Sequence, residues 1–434
     1  MLRRLDLRGP LGDLAVVLPR PSTADDGPLD AVRAIVADVR DRGDMALREL
    51  TARYDGVDLE SVVVNPADIA SAPDRIDPVV LVALEVAAAA IRRHHEGQRR
   101  AEQRSDEDGL SVRSISRPVQ RAGCYAPGGR AAYPSTVLMT AVPARVAGVE
   151  EVILCVPPGP DGRVADVTLA AAAVAGVDAV YAVGGAQAVA AMAYGTASIP
   201  AVDVIAGPGN VYVALAKREV AGHVGVPSAF AGPSEVVVVA DSTVPPEFAA
   251  IDVVVQAEHG PGGLAWLITW DEAVAEAVEA EIDRIVEAAP RRDEIKATLD
   301  SAGWSVLVDG PDEALAVTDA IAPEHLQLMV AGAGDLSERV RNAGAVFCGQ
   351  WSPASLGDYV AGPSHVLPTA GTARFAGALT VADFTRDIHL ITADRSALLR
   401  LAPHVVALAG AEGLDAHAES VRLRVAKADG ADNG

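Results

Sequence analysis

Residues 152–205 read VILCVPPGPDGRVADVTLAAAAVAGVDAVYAVGGAQAVAAMAYGTASIPAVDVI. Three short aliphatic runs, 152–156, 179–183 and 202–205, alternate with two helix-length segments, 166–176 and 186–194. Apolar runs of strand length that lack a polar/apolar alternation read as strands buried on both faces. Strands alternating with helices build parallel, right-handed crossover units, and ligands gather at the carboxyl ends of such strands. The fold class is therefore α/β, and the turns that follow the strands are expected to be functional. Residues 179–202 carry no charge over a length that could cross a bilayer, but Gly184, Gly185, Gln187, Gly195, Thr196, Ser198 and Pro200 interrupt them. They read as strand, turn, helix and next strand.

The same alternation returns downstream. Strands are predicted at 236–240 and 264–269, helices at 246–257 and 271–288, and further short strands near Val306 and Val346. Upstream, 28–104 reads as a helical lead-in, with Pro28 at a helix start, Gly43 and Asp44 as a stop and a new cap, and an Ala-rich run over 78–95. After about Leu379 the chain reads as helical again, and 427–434 as a small, acidic, frayed tail. The expected architecture is two Rossmann-like but incomplete parallel-sheet modules with smaller helical segments at either end. The division it suggests is an N-terminal segment (1–21), a first α/β domain (22–123 plus 236–379), a second α/β domain (124–235) and a C-terminal segment (380–434).

A chain of 434 residues suffices for about two to three domains and a sizeable core. With 36 basic and 59 acidic residues its net charge is −23, a field that repels nucleic-acid phosphates and anionic lipid. Cys124, Cys155 and Cys348 are odd in number and far apart, so they form neither a disulfide framework nor a CxxC zinc clip. Arg3, Arg4, Asp6 and Arg8 are not followed by the apolar run of a secretory signal, so a cytoplasmic protein is expected.

No GxGxxG follows a strand, and the chain contains no GxxxxGK[ST], GxSxG or HExxH, so the common dinucleotide, P-loop, hydrolase and zincin signatures are absent. Other groupings carry the chemistry. Gln256 and His259 stand three apart on one helical face; they can chelate a divalent metal or be an ordinary helix end before Gly260. Glu324 and His325 set an acid beside an imidazole at an element boundary, either bordering a pocket or forming a solvated cap. Asp358 and His365 lie in one glycine-punctuated loop. Glu412 and His417, near the carboxyl terminus, read locally as surface groups. Glycine-rich turns at 123–129, 184–187, 207–210 and 231–235 follow the predicted strands and favour a binding crevice.

Taken in order, these segments resemble the histidinol dehydrogenase family. The resemblance runs over nearly the whole chain, through the turn at 123–129, Ser135-Thr136-Val137-Leu138-Met139, Gly184-Gly185-Ala186-Gln187-Ala188, Gly207-Pro208-Gly209-Asn210, Ala231-Gly232-Pro233-Ser234-Glu235, Gln256-Ala257-Glu258-His259, Pro323-Glu324-His325-Leu326, Leu356-Gly357-Asp358-Tyr359 and His365-Val366-Leu367-Pro368-Thr369. It implies oxidation of L-histidinol to L-histidine through histidinal, with two NAD+ as acceptors. The alternative is a related zinc- and NAD-dependent dehydrogenase acting on another small alcohol or diol.

By the resemblance the catalytic pair is Glu324 and His325, and the zinc ligands are Gln256, His259, Asp358 and His417. NAD contacts fall on Tyr125, Gln187 and Asn210. Substrate contacts fall on Ser234, His365 and Glu412, besides the catalytic pair and the zinc ligands. The carboxyl-terminal segment carrying Glu412 and His417 is implied to reach the neighbouring subunit's site in a homodimer. Two positions depart from the family's usual pattern: Gly362-Pro363-Ser364 stands where Gly-Thr-Asn is usual, and Val255 where a serine is usual.

Overall fold

The computed structural model describes residues 1–19, 27–128, 131–227, 234–258 and 263–431. The chain divides into two compact units, Met1–Gln98 with Val119–Phe384, and Arg99–Pro118 with Thr385–Gly434. The strands among the described residues are β1 (Arg3–Asp6), β2 (Gln103–Glu107), β3 (Leu110–Pro118), β4 (Arg121–Tyr125), β5 (Glu151–Val156), β6 (Ala179–Ala182), β7 (Val204–Ala206), β8 (Glu235–Ala240), β9 (Leu264–Thr269), β10 (Gly303–Leu307), β11 (His325–Met329), β12 (Ala345–Cys348) and β13 (Thr385–Ala393).

The first unit holds two wholly parallel sheets, a six-stranded one ordered β1-β10-β9-β8-β11-β12 and a four-stranded one ordered β6-β5-β4-β7. Their central strands are apolar throughout because both faces are covered. In β8, Val236, Val238 and Ala240 pack with the helices Pro246–Ala257 and Glu272–Ala288, while Val237 and Val239 face the opposite core beside helix Pro311–Ile321. The period of two sends successive side chains to opposite faces. Each buried valine contributes about 1.5–3 kcal/mol relative to exposure, so a charge at Val238 would remove the sheet's centre.

In the four-stranded sheet, Ala122, Cys124 and Leu154 face helices Pro78–Glu96 and Pro134–Ala147, while Tyr125, Ile153 and Cys155 face helices Leu29–Arg42 and Gly185–Tyr194. The helices of the lead-in thus cover the four-stranded sheet, whereas the sequence reading attached 22–123 to the other module. That reading also cut the chain inside β4. Hydrophobic periodicity marks a helix as amphipathic without saying which sheet it covers.

The second unit is an antiparallel sheet, β13-β3-β2, followed by helices Arg395–Ala411 and Asp415–Ala431. Nine consecutive pairs join β13 to β3, from Thr385↔Pro118 to Ala393↔Leu110. Asp394 then caps the first helix, its carboxylate accepting from Ala397 N–H at 2.8 Å. Both terminal expectations need correcting here. The lead-in's helical reading ends at Glu96 and gives way to β2, and the chain after Leu379 passes through β13 before it becomes helical. Residues expected to fray from 427 instead continue the last helix to Ala431.

Candidate functional site

The carboxyl ends of β4, β6 and β7 open on a cavity of about 1030 Å³ whose lining includes Tyr54, Asp55, Tyr125, Gln187, Asn210 and Tyr212. The structure therefore gathers the three expected NAD contacts around one space. Each is fixed by its turn. Tyr125 ends β4, and its Oη accepts from Gly185 N–H at 3.0 Å. Gln187 is buried in the first turn of helix Gly185–Tyr194. Asn210 caps helix Val211–Val220, its Oδ1 accepting from Val213 N–H at 3.1 Å. Two helix amino termini border the space, an arrangement whose free N–H groups suit a diphosphate. Gly207, at φ 119°, allows the turn to lie on the Tyr125 carbonyl, where any Cβ would collide.

Two groups here escaped the sequence reading. The buried Lys217 Nζ donates to the Gly207 carbonyl at 2.6 Å, and burial pulls its pKa down to about 7. Burial raises the Asp55 carboxyl, whose Oδ2 has no hydrogen-bond partner among the described residues. An isolated lysine inside an amphipathic helix and an acid in a turn give no sequence signal of burial.

The acid–imidazole pair lies at the other kind of sheet end. Glu324 precedes β11 and His325 begins it, so both stand at the amino end of the six-stranded sheet. Glu324 Oε2 accepts from Glu235 N–H at 3.0 Å. His325 Nδ1 lies 3.3 Å from the Glu235 carbonyl, which can only accept, so Nδ1 carries a proton and Nε2 is left facing Asp358 Oδ1 at 3.4 Å. The ring stacks on Phe347 at a centroid distance of 6.1 Å. Burial pushes the Glu324 carboxyl up to about 7 against the opposing pull of His325. Burial alone would depress the His325 imidazole, but Glu324 and then Asp358 outweigh it and hold it above its ordinary value.

Asp358 lies in the short helix Ala354–Tyr359, with a quarter of its side chain exposed. Its backbone carbonyl accepts from His365 Nδ1 at 2.9 Å, and His365 Nε2 meets Thr136 Oγ1 at 3.2 Å. Thr136 was quoted within a motif without a role; its place opposite His365 depends on tertiary packing. Ser364, at the unusual position, is buried: its hydroxyl donates to the Met139 carbonyl and accepts from Val366 N–H, which fixes the loop carrying His365. Gln256 is buried in the last turn of helix Pro246–Ala257. Ser234, directly before β8, accepts from Leu264 N–H through its backbone carbonyl. His259 lies outside the described residues. Glu412 and His417 belong to the second unit, exposed at the joint between its two helices. Among the described residues no helix is long and apolar enough to cross a membrane.

A dinucleotide-sized cavity lined by strand-end turns, together with a buried acid–imidazole pair, is the equipment of a nicotinamide-dependent oxidoreductase. The model of the histidinol dehydrogenase family matches residues 18–425. Histidinol dehydrogenase of Gluconobacter oxydans is 46% identical over 431 residues, covering 98% of this chain and all of that protein. Its counterpart from Parasynechococcus marenigrum is 48% identical over 395 residues, 91% of this chain and 90% of that one. The crystal structure of histidinol dehydrogenase from Elizabethkingia anophelis superposes with a TM-score of 0.94 at 31% identity, covering 99% of each chain. The chain belongs to the histidinol dehydrogenase family, and is an NAD-dependent oxidoreductase of histidine biosynthesis.

Proposed function

We propose that the chain oxidises L-histidinol through L-histidinal to L-histidine, using two NAD+ and one water, with the Glu324–His325 pair serving both halves. The observation that carries this reading is the pinning of His325 Nδ1 on the Glu235 carbonyl, which leaves Nε2 as the proton acceptor. NAD+ supplies the hydride acceptor of each half, and the turns bearing Tyr125, Gln187 and Asn210 hold it. In the first half His325 Nε2 takes the alcohol proton. Glu324, whose carboxyl ionises near neutrality, then takes a proton from water as that water adds to the aldehyde, while His325 Nε2 returns its proton to the carbonyl oxygen and is free again. His325 Nε2 takes the next proton as the hydrated aldehyde is oxidised. Burial of both side chains keeps bulk water from the aldehyde between the two steps.

Gln256, His259, Asp358 and His417 are the residues that would hold zinc. An amide oxygen, a carboxylate and two imidazoles are a donor set that suits this ion, and the partly open Asp358 carboxylate beside His325 fits a ligand shared with substrate. Zinc, when bound, supplies a Lewis-acidic anchor for the substrate's imidazole and amino nitrogens. Ser234, His365 and Glu412 complete the substrate contacts. A homodimer is supported by the second unit, which carries Glu412 and His417 and leaves Ile391, Leu408 and Leu423 exposed. A cytoplasmic location accords with a biosynthetic enzyme whose three cysteines are all unpaired.

The test is the NADH yield per L-histidinol. Two NADH are expected, lost on treatment with a strong chelator and regained with Zn2+. If the zinc-restored protein makes no NADH from histidinol yet reduces NAD+ with another alcohol or diol, the substrate assignment is wrong.

A further inference from the structure

The helix capped by Asn210 carries a buried cation whose partner lies back beyond the helix's own start. Lys217, in helix Val211–Val220, is 2% exposed. Val213 and Val220, neighbours of Lys217 on the same helical face, belong to an apolar core. Burying an ammonium in such surroundings is costly, and a methionine would fill the space without that cost. The reason for a lysine is therefore to be sought at the group it reaches. Helical side chains lean towards the amino terminus, and Lys217 Nζ donates at 2.6 Å to the carbonyl of Gly207, which ends the strand before the helix. The next residue is Pro208, whose nitrogen carries no proton, so this peptide plane can be fixed by a hydrogen bond only through its carbonyl. Gly207 itself lies one step beyond the Ala206–Cys124 pair, resting on the Tyr125 carbonyl, and Tyr125 Oη receives Gly185 N–H. One chain of contacts, from Lys217 through Gly207 and Tyr125 to Gly185, thus joins the three turns around the cavity, although Lys217 is not among the residues that line it.

We propose that Lys217 is a positioning residue for the cofactor, its ammonium holding the Gly207 carbonyl and, through it, the turn that presents Asn210 and the helix amino terminus to NAD+. The inference rests on the assignment of this cavity to NAD+. Burial pulls the Lys217 ammonium down to about 7, a perturbation of the kind that gathers beside functional clefts. Without the Lys217 bond the Gly207–Pro208 peptide is free to turn, and the turn loses its fixed approach to the cofactor. The proton-handling pair on the other sheet is untouched by this bond, so the effect belongs to cofactor binding and not to the chemical steps.

The experiment makes Lys217→Met in the full-length, zinc-loaded enzyme and measures NADH binding by fluorescence beside the steady-state constants for NAD+ and L-histidinol. Methionine keeps the length and the packing and removes the donor. KM for NAD+ should rise about tenfold and NADH binding weaken by the same factor, while KM for L-histidinol and kcat at saturating NAD+ stay within about threefold of wild type. A Lys217→Met enzyme that keeps its affinity for NAD+ and NADH within about threefold, whether or not its melting temperature falls, would show the lysine to be structural only and overturn the proposal. So would an equal loss of affinity for NAD+ and L-histidinol, which marks a general loosening. If the methionine variant does not fold, Lys217→Gln takes its place, its donor one bond too short: the same rise is expected, and wild-type affinity for NADH refutes the role. Gln187→Ala and Asn210→Ala run alongside separate the two levels. If neither weakens NADH binding, the assignment of the cavity fails whatever the Lys217 variants do.

Discussion

The two parallel sheets of the first unit present their working residues at opposite ends. The four-stranded sheet uses the carboxyl ends of β4, β6 and β7, and β6 and β7 turn into helix amino termini beside the cavity. The six-stranded sheet uses the amino ends of β8 and β11, towards which helix Pro246–Ala257 runs with Gln256 in its last turn. The difference follows from charge. Helix amino termini offer free N–H groups and a positive end, which suit phosphates, whereas helix carboxyl termini offer carbonyls and a negative end, which suit cations. The imidazolium that would form when His325 takes a proton, which Glu324 and Asp358 favour, and the proposed metal ion are cationic occupants. On the proposed reading, the rule that ligands gather at carboxyl ends therefore holds for the sheet that would take the anionic cofactor and fails for the sheet that would carry the proton chemistry.

Two substitutions sharpen this contrast, the larger effect first. Asp252 lies one helical turn before Gln256, and burial pushes its carboxyl up to about 6, with Oδ2 unpartnered among the described residues. The folded protein therefore holds a proton that the unfolded chain has already released between about pH 4 and pH 6. Stability from this group falls as pH rises through that window and stays low above it. Asp252→Asn should consequently gain on wild type as pH rises from 4 to 7, by at most about 3 kcal/mol, in urea titrations at each pH. A difference independent of pH would show the carboxyl to be ionised throughout. On the other sheet, Gln187→Ala should raise KM for NAD+ about tenfold and leave kcat within about threefold, because it removes a buried polar group from the cofactor cavity alone. A fall in kcat with unchanged KM would place the chemistry at the wrong sheet.

Much of this organisation is legible in the chain. The aliphatic runs at 152–156, 179–183, 236–240 and 264–269 are strands because central parallel strands are buried on both faces, which leaves an unmistakable composition. Tyr125, Gln187 and Asn210 sit on strand-end turns that their glycines announce. β2 and β13 were missed for the converse reason: Gln103–Glu107 is fully exposed and β13 nearly so, and strands held by cross-strand pairing on an exposed sheet carry no core signature. β1, four residues at the very start, joins the sheet only by pairing with β10. Glu235 stood in plain view in a quoted motif, yet its part depends on the register of β8 against β11, which no local pattern encodes. The same holds for Thr136 and His365, 229 positions apart and joined by one hydrogen bond.

The account turns on Glu324 and His325 having separate duties at one sheet end. Supplying Glu324→Gln and His325→Ala with histidinol and, separately, with histidinal while counting NADH measures this directly. His325→Ala should slow both oxidations by about 100-fold or more, whereas Glu324→Gln should release close to one NADH per histidinol at a near-normal rate and the second far more slowly. Equal slowing of both oxidations by Glu324→Gln would contradict the assignment.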